Sequence, residues 1–316
     1  MARRPLRRLA VSAAALALAG ILAPHALGSS LLDRNASRIR LAVDARGQAL
    51  VTYRAGGRTR HVLVFGAVNA LPPSESTPQV RFTIDYTGGI ETQHRSVWRR
   101  FGNRCRPYRG PALAWLVTAC TAPDGSSWAL QSWQRMLPHR GFAPWLPAQS
   151  AWELHISHWT GPVARLDVWT DWIHGGEAHE LFGRFAYAGA PVHGFRTRRP
   201  QDGYVRYLYI DTFDSRYGSG WKRETAVASR SPRGNFCYSF YPTRDASLPG
   251  APSRPPGNGK RYRVTAIGPG VTPDVTWEGA GLPDFDSRNS ALVAREREMN
   301  RLVDQIAGSD PVCSVH

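Results

Sequence analysis

The chain has 316 residues, with 40 basic against 24 acidic side chains, a formal net charge of +16 and 42% hydrophobic residues. That is long enough for one large β domain with a satellite, or for two domains, and apolar enough for a real core, so it excludes a framework made of cysteine bridges alone. The excess charge favours anionic surfaces whatever its origin; since only Lys222 and Lys260 are lysines, the arginine bias reads as base composition rather than as selected arginine chemistry.

Arg3, Arg4, Arg7 and Arg8 precede an apolar run over residues 9–23, Pro24 breaks it, and Ala26-Leu27-Gly28 supplies the small residues of a cleavage site. This is the pattern of a secretory signal peptide over residues 1–28. The run is shorter than the roughly 20 residues of a membrane span, no second one follows, and no cysteine near the cleavage site offers a lipid anchor. The expectation is a secreted protein that begins near Ser29, has no transmembrane span after cleavage, and carries 36 basic and 24 acidic residues.

Residues 29–90 read as a small β-meander. Strands over 38–44, 49–54 and 59–65 are joined by Arg46-Gly47 and Gly56-Gly57, and another strand over 79–86 follows the Leu71-Pro72-Pro73 break. Residues 91–283 hold all eleven tryptophans. Strands are expected over 112–120, 128–133, 152–159, 166–173, 183–188, 204–213, 234–241 and 262–267, separated by Gly/Pro turns. The fold class is therefore mainly β, with an antiparallel sandwich or jelly-roll-like body. The proline- and glycine-rich stretch 247–260 reads as a long loop open to proteolysis. Residues 284–316 hold a C-terminal helix, capped by Asp286 or Ser287 and striped by Leu292, Met299, Leu302, Val303 and Ile306, then a tail.

The four cysteines of an exported chain read as two disulfides, for which three connectivities exist; the favoured one has Cys105–Cys120 closing a hairpin and Cys237–Cys313 pinning the tail. No C-x-x-C pair supports a zinc module.

The richest constellation lies in segments 152–159 and 166–172, joined by a turn with Gly161-Pro162. Period-two alternation puts Glu153, His155, Ser157 and Trp159 on one face of the first strand, opposite Trp152, Leu154, Ile156 and His158. If the two segments pair as a hairpin, Ser157 meets Asp167, His155 meets Trp169 and Glu153 meets Asp171. Such a face suits a glycan: indoles stack on sugar rings and carboxylates accept hydrogen bonds from hydroxyls. Paired Glu153 and Asp171 would also suit a retaining glycoside hydrolase, one as nucleophile and the other as acid.

Other chemistry is thinner. His174, Glu177, His179 and Glu180 have metal-ligand side chains but not the H-E-x-x-H spacing, and Asp211 to Gly220 lacks a full calcium-loop pattern. Neither a metal ion nor a cofactor is expected. No G-x-S-x-G is present. In residues 94–109, arginines that include Arg99 and Arg100 interleave with Trp98, Phe101 and Tyr108. That pattern suits a flexible polyanion, and export favours an anionic envelope polymer over nucleic acid. The leading expectation is a secreted β protein that binds extracellular glycan or cell-envelope material through Glu153, His155, Trp159, Asp167, Trp169 and Asp171. The alternatives are a hydrolase using Glu153 and Asp171, and a polyanion-binding or structural envelope protein using the arginine patch.

Overall fold

A computed structural model of the chain describes residues 29–68, 82–135, 151–173, 175–191, 195–196, 204–205, 207–228, 234–240, 257–266 and 272–307. The expected signal peptide, most of the proline-rich stretch, His174 and Cys313 lie outside them. Within the described residues the fold is mainly β, its strands paired antiparallel throughout, with a C-terminal helix.

The chain enters on β1 (Ser30–Arg34), which the sequence pattern did not mark. The expected meander follows as β2 (Ser37–Val43), β3 (Ala49–Ala55), β4 (Arg58–Gly66) and β5 (Phe82–Asp85), adjacent in that order. After the short helix α1 (Ile90–Gln93) come β6 (Arg106–Pro107), β7 (Leu116–Thr121), β8 (Ser127–Arg135) and β9 (Ala151–Trp159). These four form a second sheet, with β1 pairing along the far edge of β9.

The two sheets close on a core that includes Val51, Tyr53, Val62, Val64, Trp128, Leu130, Leu154 and Ile156. Burial of each such side chain is worth about 1.5–3 kcal/mol, so this sandwich draws its stability from residues on both sides of position 90. The Cys105–Cys120 disulfide, with Cα atoms 5.6 Å apart, ties the approach to β6 onto β7. Closing that separation of 15 residues contributes about 3 kcal/mol in the chain-entropy picture.

A second sandwich follows. The strands β10 (Arg165–Ile173), β11 (Ala178–Tyr187) and β12 (Ala190–Pro191) build one sheet. The two-residue strands β13 (Phe195–Arg196) and β14 (Tyr204–Val205) pair as a ribbon. Then come β15 (Tyr207–Ser215), β16 (Gly218–Ala228), β17 (Asn235–Phe240), β18 (Arg261–Ala266) and β19 (Val275–Ala280). Strand β17 joins β11, while β16-β15-β18-β19 form a separate sheet in that order. Leu181, Phe185, Leu208, Ile210, Phe236, Tyr262 and Val264 fill the core between these two sheets.

The helix α2 (Ser290–Ala307) lies on the outside of the β11 sheet, where Val303 meets Ile173 and Phe182. Its cap is Asn289, whose Oδ1 accepts the N–H groups of Ala291 and Leu292. Asp286 instead accepts the N–H of Arg288, so the helix starts beyond the expected Asp286 or Ser287. Cys237 is disulfide-bonded; its expected partner, Cys313, is outside the described residues.

One expectation is corrected by the topology. The segment containing Gly161-Pro162 does not close a hairpin: β9 pairs with β8 and β1, while β10 pairs with β11 in the other sandwich. The alternation assigned to β9 is observed, but both of its faces are covered, with every residue from Glu153 to Trp159 buried. Leu154 and Ile156 face the first core. The opposite, polar face meets the second sandwich.

Candidate functional site

That meeting of sandwiches is polar, not apolar. From β9 and β8 it receives His155, Ser157, Gln131 and Trp133; from the second sandwich it receives Thr272, Asp274, Asp211, Arg223 and Arg263. The carboxylate of Asp274 accepts hydrogen bonds from the Ser29 hydroxyl at 2.9 Å and the Trp133 indole N–H at 3.3 Å. The Gln131 amide pairs with the Asp274 backbone in both directions, at 2.9 and 3.0 Å. Ser157 donates to the Thr272 carbonyl. Buried polar groups without partners are costly, so these bonds set the docking of the two sandwiches.

Ser29, His155 and Glu153 form a chain in this layer. Ser29 Oγ lies 2.9 Å from His155 Nδ1, and His155 Nε2 lies 3.3 Å from Glu153 Oε2. The order matches a nucleophilic triad, but Ser29 has a second acceptor in Asp274, which competes with His155 for its single proton. All three side chains are buried, which denies a substrate any approach.

Of the residues expected to share one face, Glu153 thus bonds Arg34 at 3.1 Å as well as His155. Trp159 is buried against Tyr108. Asp167, Trp169 and Asp171 sit on β10 in the other sandwich. There Asp167 pairs with Arg165 at 2.9 Å, Trp169 is exposed, and Asp171 is buried 3.6 Å from Arg295. Burial pushes the Asp171 carboxyl above the usual carboxylate range, opposed by the Trp172 N–H and the Arg295 guanidinium. Glu153 and Asp171 belong to separate sheets, so the hydrolase expectation loses the paired-carboxylate geometry it rested on. Asp214 bonds Gly220 N–H and Lys260 as the cap of the β15–β16 turn, which accounts for the calcium-like loop. Among the described residues no cluster of three or more His, Cys, Asp or Glu side chains stands at metal-binding geometry.

What the fold does assemble is a tryptophan-lined pocket of about 160 Å³ where the polar layer reaches the surface. Trp115 arrives from the start of β7, Trp133 from β8, Trp152 from β9 and Trp221 from β16. At the wall and floor, the Asp211 carboxylate accepts hydrogen bonds from both Arg223 and Arg263. Arg263 lies 4.4 Å over the Trp115 ring and 4.3 Å over Trp221, while Trp133 stacks on His155. Trp152 has no ring partner among the described residues and is 46% exposed. Of the four tryptophans that line the pocket it is the most exposed.

Trp115 adds an independent sign. Its φ is 56°, in the left-handed region that a bulky side chain avoids. A bulge in β7 between Leu116 and Thr118 and a 2.9 Å bond from Ser132 N–H to its carbonyl hold it there. Backbone strain of this kind costs of order 1–3 kcal/mol and clusters at ligand sites.

Arg99 and Arg100 lie exposed on the one-turn 3₁₀ helix Val97–Arg100. The segment before it is anchored by Asp85, which is buried and accepts four hydrogen bonds from the Thr87 and Thr92 hydroxyls and N–H groups. Burial alone would push this carboxyl up; those four bonds outweigh it and bring the pKa down from 3.8 to about 2. A depressed carboxylate pKa stabilises the fold above the unfolded value, and the contribution is lost as pH falls through the folded one. About 2 kcal/mol of stability should therefore disappear between about pH 4 and pH 2. Urea unfolding across that range should show the loss in wild type and a flatter profile in Asp85→Asn; parallel profiles would contradict it.

Among the described residues the fold is two antiparallel sandwiches joined face to face through a polar layer, with the pocket where that layer reaches the surface. Comparison of the chain with protein-family models, with curated proteins and with solved structures finds no match.

Proposed function

We propose that the protein binds glycan or cell-envelope material outside the cytoplasm, and that the saccharide seat is the tryptophan pocket between the sandwiches. The observation that carries this reading is the convergence of Trp115, Trp133, Trp152 and Trp221 on one cavity with arginine and carboxylate groups beside them. A sugar ring offers apolar C–H faces and a rim of hydroxyls. The exposed Trp152 indole suits the first, and guanidinium and amide groups suit the second. A cavity of this size admits one ring rather than a chain, which points to an end or a branch of a polymer. The disulfide between Cys105 and Cys120 and the leader pattern of residues 1–28 support an oxidising, extracytoplasmic setting.

Stacking on one indole is worth on the order of 1–2 kcal/mol. Trp152→Ala should thus weaken binding of soluble cell-wall oligosaccharides about tenfold, read from quenching of the remaining tryptophan fluorescence. The effect should persist at high salt, because stacking is not screened. Trp169→Ala, at the exposed indole of β10, should leave affinity unchanged. A loss confined to Trp169→Ala would move the seat to the β10 face and sink this assignment.

A further inference from the structure

A second concave surface lies on the first sandwich and works by charge. Arg46, on the turn between β2 and β3, converges with Arg95, Arg99 and Arg100 around a groove of about 380 Å³. Asp44 supplies the one carboxylate in its lining, and its Oδ1 already accepts the N–H groups of Arg46 and Gln48. None of the four guanidiniums forms an ion pair with a described residue. The groove thus holds a net charge of about +3 with open donors, where surface arginines are otherwise free to spread apart.

The backbone that presents them is held in place. Gln93 reaches across to Gln48 at 3.0 Å, joining the two contributing segments. Asp85 pins the chain that enters α1. Gly88 and Gly89 take φ of 68° and 107°, and a Cβ there would stand 2.6 Å from Trp98 and 2.3 Å from Val97, so only glycine permits this approach. A site whose shape is fixed beforehand loses less on binding.

Trp98 decides between ligands. Its ring stacks on His61 at 4.1 Å and carries Arg99 at 5.2 Å, and the one aromatic side chain in the groove lining, Phe101, is half-buried, so successive bases find no row of stacking surfaces here. Single-stranded nucleic acid needs such surfaces; a chain that displays oxyanions alone does not. We infer that this groove binds an anionic polysaccharide, reading its carboxylate or sulfate groups through Arg46, Arg95, Arg99 and Arg100. The site is separate from the tryptophan pocket and rests on different residues and different forces.

The test measures binding of the protein to dextran sulfate, uncharged dextran and oligothymidylate over a range of salt. Dextran sulfate should bind at low salt, uncharged dextran should not bind at this groove, and the oligonucleotide should bind more weakly. Affinity for dextran sulfate should fall steeply with salt, as expected for about three or four released counterions. The double variant Arg95→Ala/Arg99→Ala should lose about tenfold in affinity and flatten that salt slope. Arg216→Ala/Arg297→Ala removes the same charge from exposed positions elsewhere and should leave both within about twofold. Equal losses in the two double variants would reduce the effect to diffuse net charge and overturn the site. Tighter binding of oligothymidylate than of dextran sulfate would overturn the ligand class.

Discussion

Asp211→Asn should cost about 3–5 kcal/mol of stability, the range for breaking a buried ion pair from one side. Asp211 is fully buried, and its two oxygens accept from Nε and Nη2 of both Arg223 and Arg263. With the charge removed, two buried guanidiniums would face each other across an amide that offers a single acceptor. The nearest other carboxylate, Glu278, is half exposed and 3.9 Å from Arg263, too far and too hydrated to replace it. The midpoint of urea unfolding reads the effect directly. A loss below about 1 kcal/mol would mean that the arginines re-solvate, and that the polar layer is looser than its hydrogen bonds imply.

The first sandwich supplies the second large effect. Trp128 is fully buried, stacks on His158 at 3.8 Å and meets Phe82 at 5.8 Å. Truncation to alanine should cost about 3–5 kcal/mol through lost burial and a residual cavity. Its indole N–H, however, has no hydrogen-bond partner among the described residues. Trp128→Phe removes that unpaired donor together with part of the ring, so its cost should stay below about 2 kcal/mol. Similar losses for the two variants, again by urea unfolding, would contradict this account of the core.

Strand existence was legible because turns and alternation are local. The meander over β2, β3 and β4, and the strands β8, β9, β10, β17 and β18, fall close to their expected positions. Partners were not legible, because pairing is long-range. β1 meets β9 more than a hundred residues away, and Gly161-Pro162 has the composition of a tight turn although it carries the chain between sandwiches. Alternation also misled in a specific way. On β9 the polar residues Glu153, His155 and Ser157 resemble a solvent face, but in a central layer a polar stripe faces another sheet. On β10 the outcome is mixed: Trp169 is exposed, but Asp171, expected to share its face, is fully buried beside Arg295.

The pocket was hidden for a related reason. The abundance of tryptophan in strands signals aromatic surfaces, but the two indoles of the expected face, Trp159 and Trp169, follow from strand alternation and an assumed hairpin register. Trp115, Trp152 and Trp221 come together only once two sandwiches dock through Asp274, Gln131 and Ser29. Nothing at residues 211, 223 and 263 announces that one carboxylate will hold two arginines. The arginine groove was half visible: Arg99 and Arg100 stood out, whereas Arg46 joins them only through the β2–β3 turn.

Co-sedimentation of the protein with purified cell walls and insoluble glycans at high salt, with wild type and Trp152→Ala side by side, tests the central claim most directly. Retention of wild type on a glycan at high salt, with most of it lost in Trp152→Ala, is the result predicted by a saccharide seat between the sandwiches. Retention that survives Trp152→Ala unchanged, or that vanishes for both proteins once salt is raised, would contradict it.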